Sequence, residues 1–328
     1  MKVSRTAVLA GTVTMAAVVG VTALALPQGG GPAPATPSVQ APVPAGFTEH
    51  KVTVNNVGID YVEGGKGPTL VLLHGYPETW YDWHKVMPAL AEHYRVVAPS
   101  IRGAGKSDAP ASGYDKKTMA ADIHALMQRI GGGEHIYLVG HDIGTMVAYA
   151  YAAAHPSEVR KLVLSEAPLP DPSLYTFPSL TAKGPGAWNF GYFNLTNGLP
   201  ENMIEGKEPT WVQGFTDSLK YNKNGVTAQD AQIYGTYLKD PAHLSASFKW
   251  FRTFNQDVAD NAVYAKTKLK MPVLAIGAQY SLGTVVRDQV KKYGTNVTGA
   301  VIPNSGHWIW EERPDYMTNL LENFLNKP

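Results

Sequence analysis

The chain has 328 residues, a formal charge of +1 and no cysteine. Without thiols there is no disulfide framework, thiolate metal site, cysteine nucleophile or lipid-bearing cysteine. The near-neutral charge and the absence of a Lys/Arg block leave no electrostatic footprint for nucleic acid, and favour a small apolar or weakly polar organic ligand.

Lys2 and Arg5 precede an apolar, small-residue run from Ala7 to Leu26, and Ala23-Leu24-Ala25 offers an A-x-A cleavage site. Residues 1–25 are expected to be a secretory signal, which predicts a secreted or extracytoplasmic protein. Its removal would take the formal charge to about −1. The run is close to the ~20 residues that span a bilayer, so an uncleaved membrane anchor is the alternative. Residues 26–44 are mostly Pro, Gly, Ala and Gln, without aromatic or charged residues, and read as a linker or disordered terminus. The remainder is long enough for one large α/β domain, with residues 45–168 and 271–328 as core and 169–270 as an inserted helical cap.

Lys51 to Asn55 and Ile59 to Tyr61 predict an opening hairpin with Val57 and Gly58 in its turn. Thr69 to Leu73 is a buried strand ending in His74-Gly75-Tyr76-Pro77. Tyr94 to Pro99 is the next strand. Gly105-Lys106-Ser107 after it matches the end of a phosphate loop, but Ser100 stands where that motif opens with Gly, so the stretch reads as a tight connection. Lys117 to Ile130 is an amphipathic helix with Met119, Ile123, Leu126, Met127 and Ile130 at helical spacing.

Tyr137 to Thr145 reads YLVGHDIGT. A short apolar strand that breaks at Gly-x-Asp-x-Gly before a helix of small residues, Met146 to His155, has the strand-turn-helix context of a nucleophile elbow. Lys161 to Ser165 is a strand that ends in Glu166-Ala167-Pro168. Leu169 to Lys270 is aromatic-rich and helical. Lys270 to Gly277 and Val297 to Pro303 resume the core, Asn304-Ser305-Gly306-His307-Trp308 follows, and Pro314 to Leu325 is a closing helix. A parallel sheet collects its functional groups at the carboxyl ends of its strands, which is where Asp142 and Glu166 fall.

An aspartate at the elbow dictates the chemistry. It is already ionised at neutral pH, so it attacks directly and leaves an alkyl ester on the enzyme. The electrophile is then a saturated carbon. His307 would activate the water that cleaves the ester, with Glu166 stabilising the imidazolium. Gly277 to Gly283, after a later core strand, contains no carboxylate, which leaves Glu166 ahead of Asp288 and Asp257 as the acid. No metal or other cofactor is required, and the ten histidines show no ligand spacing such as H-x-x-x-H.

Together these motifs resemble the epoxide hydrolase and dehalogenase branch of the α/β-hydrolase superfamily, and within it the secreted bacterial epoxide hydrolases of the Cif type. The shared features are the signal, His-Gly-x-Pro, Gly-His-Asp-Ile-Gly, Glu166-Ala167-Pro168-Leu169-Pro170-Asp171 and Gly-His-Trp. The resemblance implies the α/β-hydrolase fold, a mostly parallel sheet flanked by helices with a helical cap. It also implies an oxyanion hole from the backbone N–H groups of Tyr76 and Ile143, and conversion of an epoxide to a vicinal diol. In the cap the chain departs from these relatives, which carry His or Tyr donors for the emerging alkoxide. Here Asn189, in Trp188-Asn189-Phe190, and Phe251, in Lys249-Trp250-Phe251-Arg252, fall at those places. Tyr192, Tyr234, Tyr237, Tyr175 and His243 are the substitutes to consider, with Trp188 and Trp250 as further cap candidates.

Carbon–halogen hydrolysis is the rival, because a leaving halide needs N–H donors, such as those of Trp188 and Asn189, and no proton. Haloalkane dehalogenases place Trp after the nucleophile and Asn in the His-Gly loop, where this chain has Ile143 and Tyr76-Pro77. Fluoroacetate-type enzymes carry two arginines where Ile143 and Met146 stand. A silent small-molecule binder is the third reading, and it leaves the set Asp142, Glu166 and His307 without a purpose.

Overall fold

The computed structural model describes residues 39–182 and 184–327. The signal reading of residues 1–25, and most of the 26–44 linker, lie outside them. The end of that linker is seated rather than free: Ala41 is buried, and Val39 and Val43 pack against the core.

Among the described residues, eight strands form the main sheet in the order β1-β2-β4-β3-β5-β6-β9-β10. They are β1 (Phe47–Val54), β2 (Val57–Gly64), β3 (Thr69–Leu73), β4 (Arg95–Pro99), β5 (Ile136–His141), β6 (Val159–Ser165), β9 (Val273–Ala278) and β10 (Val297–Ile302). The short strands β7 (Leu180–Thr181) and β8 (Gly184–Pro185) pair separately. β1, β2 and β4 are antiparallel neighbours, and every other pairing in the main sheet is parallel. The central strands read as continuous apolar runs because helices cover both faces. Leu70–Leu73 and Leu138–Val139 are accordingly sealed from solvent.

The hairpin turn is Asn55-Asn56, not Val57-Gly58. Both asparagines take positive φ, 49° and 62°, as a two-residue hairpin turn demands, and Asn tolerates that region far better than a β-branched Val. Val57 is therefore released to pair with Val54. The Gly105-Lys106-Ser107 stretch is a structural fastening: Ser107 Oγ donates to the Ser100 carbonyl and accepts the Asp60 N–H, joining β2 to the loop after β4.

Between β6 and β9 lie the helices Trp188–Phe193, Leu199–Ile204, Glu208–Leu219, Ala228–Tyr237, Pro241–Arg252 and Phe254–Tyr264. The last packs on the core helices Lys116–Arg129 and Ile143–Ala154, and its Asp257 forms a buried pair with Lys116 at 2.8 Å. It thus belongs to the core layer although it falls within 169–270. Three of the others, Trp188–Phe193, Glu208–Leu219 and Pro241–Arg252, are tied to the core through Tyr76. Its ring lies among Phe193, Phe215, Phe248, Trp250 and Phe251, with centroids 4.7 to 6.4 Å away. Its hydroxyl accepts from Trp211 Nε1 at 2.8 Å. Each such aromatic pair contributes about 0.5–1.5 kcal/mol beyond area burial.

Candidate functional site

The elbow is forced by close approach. A Cβ on Gly140 would lie 2.4 Å from the Gly144 carbonyl, and one on Gly144 would lie 2.0 Å from the Leu73 carbonyl. Glycine at both ends lets β5 turn sharply into the helix Ile143–Ala154, which starts immediately after Asp142. Asp142 itself sits at φ 47°, ψ −121°, a strained conformation held by its surroundings. Its N–H donates to the Ser165 carbonyl, and Thr145 Oγ1 bridges the Gly140 and Ser165 carbonyls at 2.9 and 2.7 Å. Sequence reasoning passed over Thr145 and Ser165, whose bonds run between strands.

Three chain segments converge on the Asp142 carboxylate. Oδ1 accepts the Tyr76 N–H at 2.9 Å, and a Cβ on Gly75 would lie only 2.3 Å from the Asp142 Cβ, which explains the glycine of the His-Gly loop. Oδ2 lies 3.7 Å from His307 Nε2. Ile143 heads the helix beside it, and among the described residues its N–H makes no bond to the resting carboxylate. On the far side of the imidazole, His307 Nδ1 lies 3.0 Å from Glu166 Oε2. The other Glu166 oxygen accepts the Ala278 N–H at 2.6 Å. Glu166 therefore bridges from the end of β6 to the end of β9, where Gly277 to Gly283 has no acid of its own. Of the two alternatives, Asp257 is paired with Lys116 and Asp288 with Arg287 at the surface.

The His307 loop is fastened by Glu312, which accepts the N–H groups of Gly306 and Trp308 and those of Tyr221 and Asn222 from the cap segment. Behind it lies a sealed group of ionisable residues. His141 Nε2 lies 3.0 Å from the His307 carbonyl, and its Nδ1 lies 3.3 Å from both Glu78 Oε2 and Asp82 Oδ2. Burial, then the neighbouring Asp82 charge, pushes the Glu78 carboxyl up to about 7. Burial, then Glu78, raises Glu311 well above the carboxylate range. Burial alone would lower His141, but Glu78 and Asp82 outweigh it and hold its proton well above the ordinary value. His74, also sealed, is lowered by burial to about 4; it lies within bonding distance of the Gly75 carbonyl and the Ile101 N–H and so shapes the loop that carries Tyr76. Nothing in the local sequence flagged Glu78, Asp82 or Glu312, because their partners are distant in the chain.

A cavity of about 520 Å³ opens over Asp142, Glu166 and His307. Phe177, Phe190, Phe215, Leu219, Phe251 and Leu282 form much of its apolar wall, with Asn189 and Lys220 among its polar residues. Of the cap candidates, Asn189 and Phe251 line it. The others are placed elsewhere, and these are corrections. Trp188 lines a separate groove of about 380 Å³ beside Trp211. The Tyr192 ring lies tilted against those of Trp188, Phe193 and Trp211. Tyr234 is buried with its hydroxyl on Glu311, Trp250 donates to the Arg102 carbonyl, and Tyr237 reaches the Ala41 backbone. Tyr175 bonds Asn255, and His243 lies against the Ser107 carbonyl.

This sheet, elbow and cap are those of the α/β-hydrolases; the sequence pattern of that fold matches residues 68–314, and the chain belongs to the family. It is a hydrolase of the branch whose members include epoxide hydrolases and a fluoroacetate dehalogenase. It is 31% identical over 289 residues to the soluble epoxide hydrolase of Corynebacterium sp. (strain C12), covering 85% of this chain and 97% of that one. Among solved structures, Cfl2 of Burkholderia cenocepacia superposes with a TM-score of 0.79 at 36% identity, over 85% and 96% of the chains. The Cif epoxide hydrolase of Acinetobacter nosocomialis superposes with a TM-score of 0.82 at 26% identity, over 86% and 90%.

Proposed function

We propose that the chain is an epoxide hydrolase that works through an alkyl ester on Asp142. The observation that carries this reading is the placement of His307 between Asp142, at 3.7 Å, and Glu166, at 3.0 Å, at the floor of a mostly apolar cavity. Asp142 Oδ1 is engaged by the Tyr76 N–H, so Oδ2 is the attacking oxygen. It bonds to an epoxide carbon as the ring C–O bond breaks, and the freed alkoxide takes a proton from water. Asn189 is the cap donor nearest this role: it faces the cavity, and among the described residues its amide has no hydrogen-bond partner. An amide can stabilise the alkoxide but not protonate it.

In the second half, His307 Nε2 takes a proton from water, Glu166 stabilises the imidazolium, and the hydroxide adds to the Asp142 carbonyl carbon. The N–H groups of Tyr76 and Ile143 face the resulting oxyanion. The bond from that carbon to Oδ2 breaks, the imidazolium returns its proton to the leaving oxygen, and the diol departs; the carboxylic acid left on Asp142 gives its proton to the hydroxide formed in the first half, which restores the carboxylate. The water oxygen thus stays on Asp142. A single turnover in ¹⁸O-water tests this: the label is expected in the peptide containing Asp142, and label in the first-formed diol instead would refute the ester route.

The halide reading is weaker, because Trp188, one of its two N–H donors, lines the neighbouring groove rather than the cavity. Export of the protein belongs to the same proposal and rests on the charge and apolar pattern of residues 1–25. Amino-terminal sequencing of protein recovered outside the cytoplasm is expected to begin after Ala25. An intact Met1 terminus on a membrane-bound chain would overturn it.

A further inference from the structure

We propose that His124, His155 and Glu158 form a binding site for a divalent transition-metal ion, with zinc the probe of choice, on the side of the core where the elbow helix ends. No ligand motif announces it, because His124 comes from the helix Lys116–Arg129 while His155 and Glu158 follow the helix Ile143–Ala154.

His124 Nδ1 lies 3.1 Å from Glu158 Oε2, and His155 Nδ1 lies 3.9 Å from Glu158 Oε1. One ligand atom from each residue falls within 4.8 Å of the others. Neutral imidazole and carboxylate are ordinary zinc ligands, and a water would complete a tetrahedron. The carboxylate is already oriented, since the Tyr151 hydroxyl donates to Glu158 Oε2 at 2.8 Å, the supporting bond that metal carboxylates characteristically receive. The backbone is fixed too: Glu158 N–H donates to the His155 carbonyl and its own carbonyl accepts from Ile136 at the start of β5.

The two imidazoles are stacked, 3.8 Å apart and parallel within 1°, so a shared metal requires them to turn out of the stack. The torsion concerned is broad, and both side chains are about 30% exposed, at 28% and 31%, which leaves room for the turn and a path for the ion. A cation there also sits at the carboxyl end of the elbow helix, where the backbone dipole favours positive charge. The comparable group Glu78, Asp82 and His141 is sealed from solvent and lacks such a path.

Calorimetric titration of the chelator-dialysed full chain with zinc chloride tests the proposal, with a parallel melting curve. The wild type is expected to bind zinc saturably and to melt at higher temperature with it. His124→Ala, and separately the near-isosteric Glu158→Gln, are expected to weaken binding by about tenfold or more and to remove the thermal shift. Absence of binding in the wild type overturns the proposal. So does equal zinc affinity in both variants, which would place the ion elsewhere.

Discussion

Asp60 shows at the scale of one residue what burial does to a carboxyl group. It lies on β2, 1% exposed, and among the described residues its carboxylate has only a long contact, 3.4 Å, from Ser100 Oγ. Burial, then the charge of Glu49, pushes its carboxyl up to about 7. The native state therefore keeps a proton that the unfolded chain has already released above about pH 4. Stability from this group is fully present below that pH, falls as pH rises towards 7, and levels off above it. Asp60→Asn is expected to match the wild type near pH 4 and to be more stable by roughly 1–3 kcal/mol at pH 8. Denaturant unfolding at the two pH values checks this, and an equal difference at both would refute it. The sequence pattern at Asp142, Glu166 and His307 was legible because each ends a strand in a short local motif. Asp60, Glu78 and Glu312 were not, since what gives each its role is a burial or a backbone partner far along the chain.

Among elements, the decisive joint is between the loop after β10 and the cap. One carboxylate, Glu312, accepts N–H groups from Gly306 and Trp308 and from Tyr221 and Asn222, so it fixes the loop of His307 against the segment that follows the helix Glu208–Leu219. A glutamine keeps the length but turns one end into a donor facing donors. Glu312→Gln is expected to cost about 1–3 kcal/mol of stability and to lower turnover with a folded far-ultraviolet spectrum. Unchanged melting and turnover would show that the joint is dispensable. Element boundaries were readable to within a few residues, and Pro314–Leu325 was read with its observed ends. The cap was legible only as a helical insertion. The resemblance put Asn189 and Phe251 at the donor places, and both line the cavity, but the cap helices are aromatic on several faces, so sequence alone could not say that Trp250, Tyr234 and Tyr237 face the core. The helix Phe254–Tyr264 reads like its cap neighbours and yet packs on the core.

At the largest scale, the described residues form a sheet that brings distant segments to one edge and a cap that lies over them. The His-Gly loop, the elbow, the Glu166 loop and the His307 loop each end a strand, and cap residues wall a mostly apolar cavity of about 520 Å³ above them. Beneath the floor, His141 with Glu78 and Asp82 backs the loops that carry Tyr76 and His307. The carboxylate of Asp142 and the imidazole of His307 are largely but not wholly buried beneath this cavity, at 13% and 11% side-chain exposure. The central claim is that the second step belongs to His307 and the first does not. Intact-mass spectrometry of His307→Gln after incubation with a panel of epoxides tests it most directly. The account predicts a stable adduct that carries the whole mass of the epoxide and maps to Asp142. Full turnover by this variant with no adduct would contradict it.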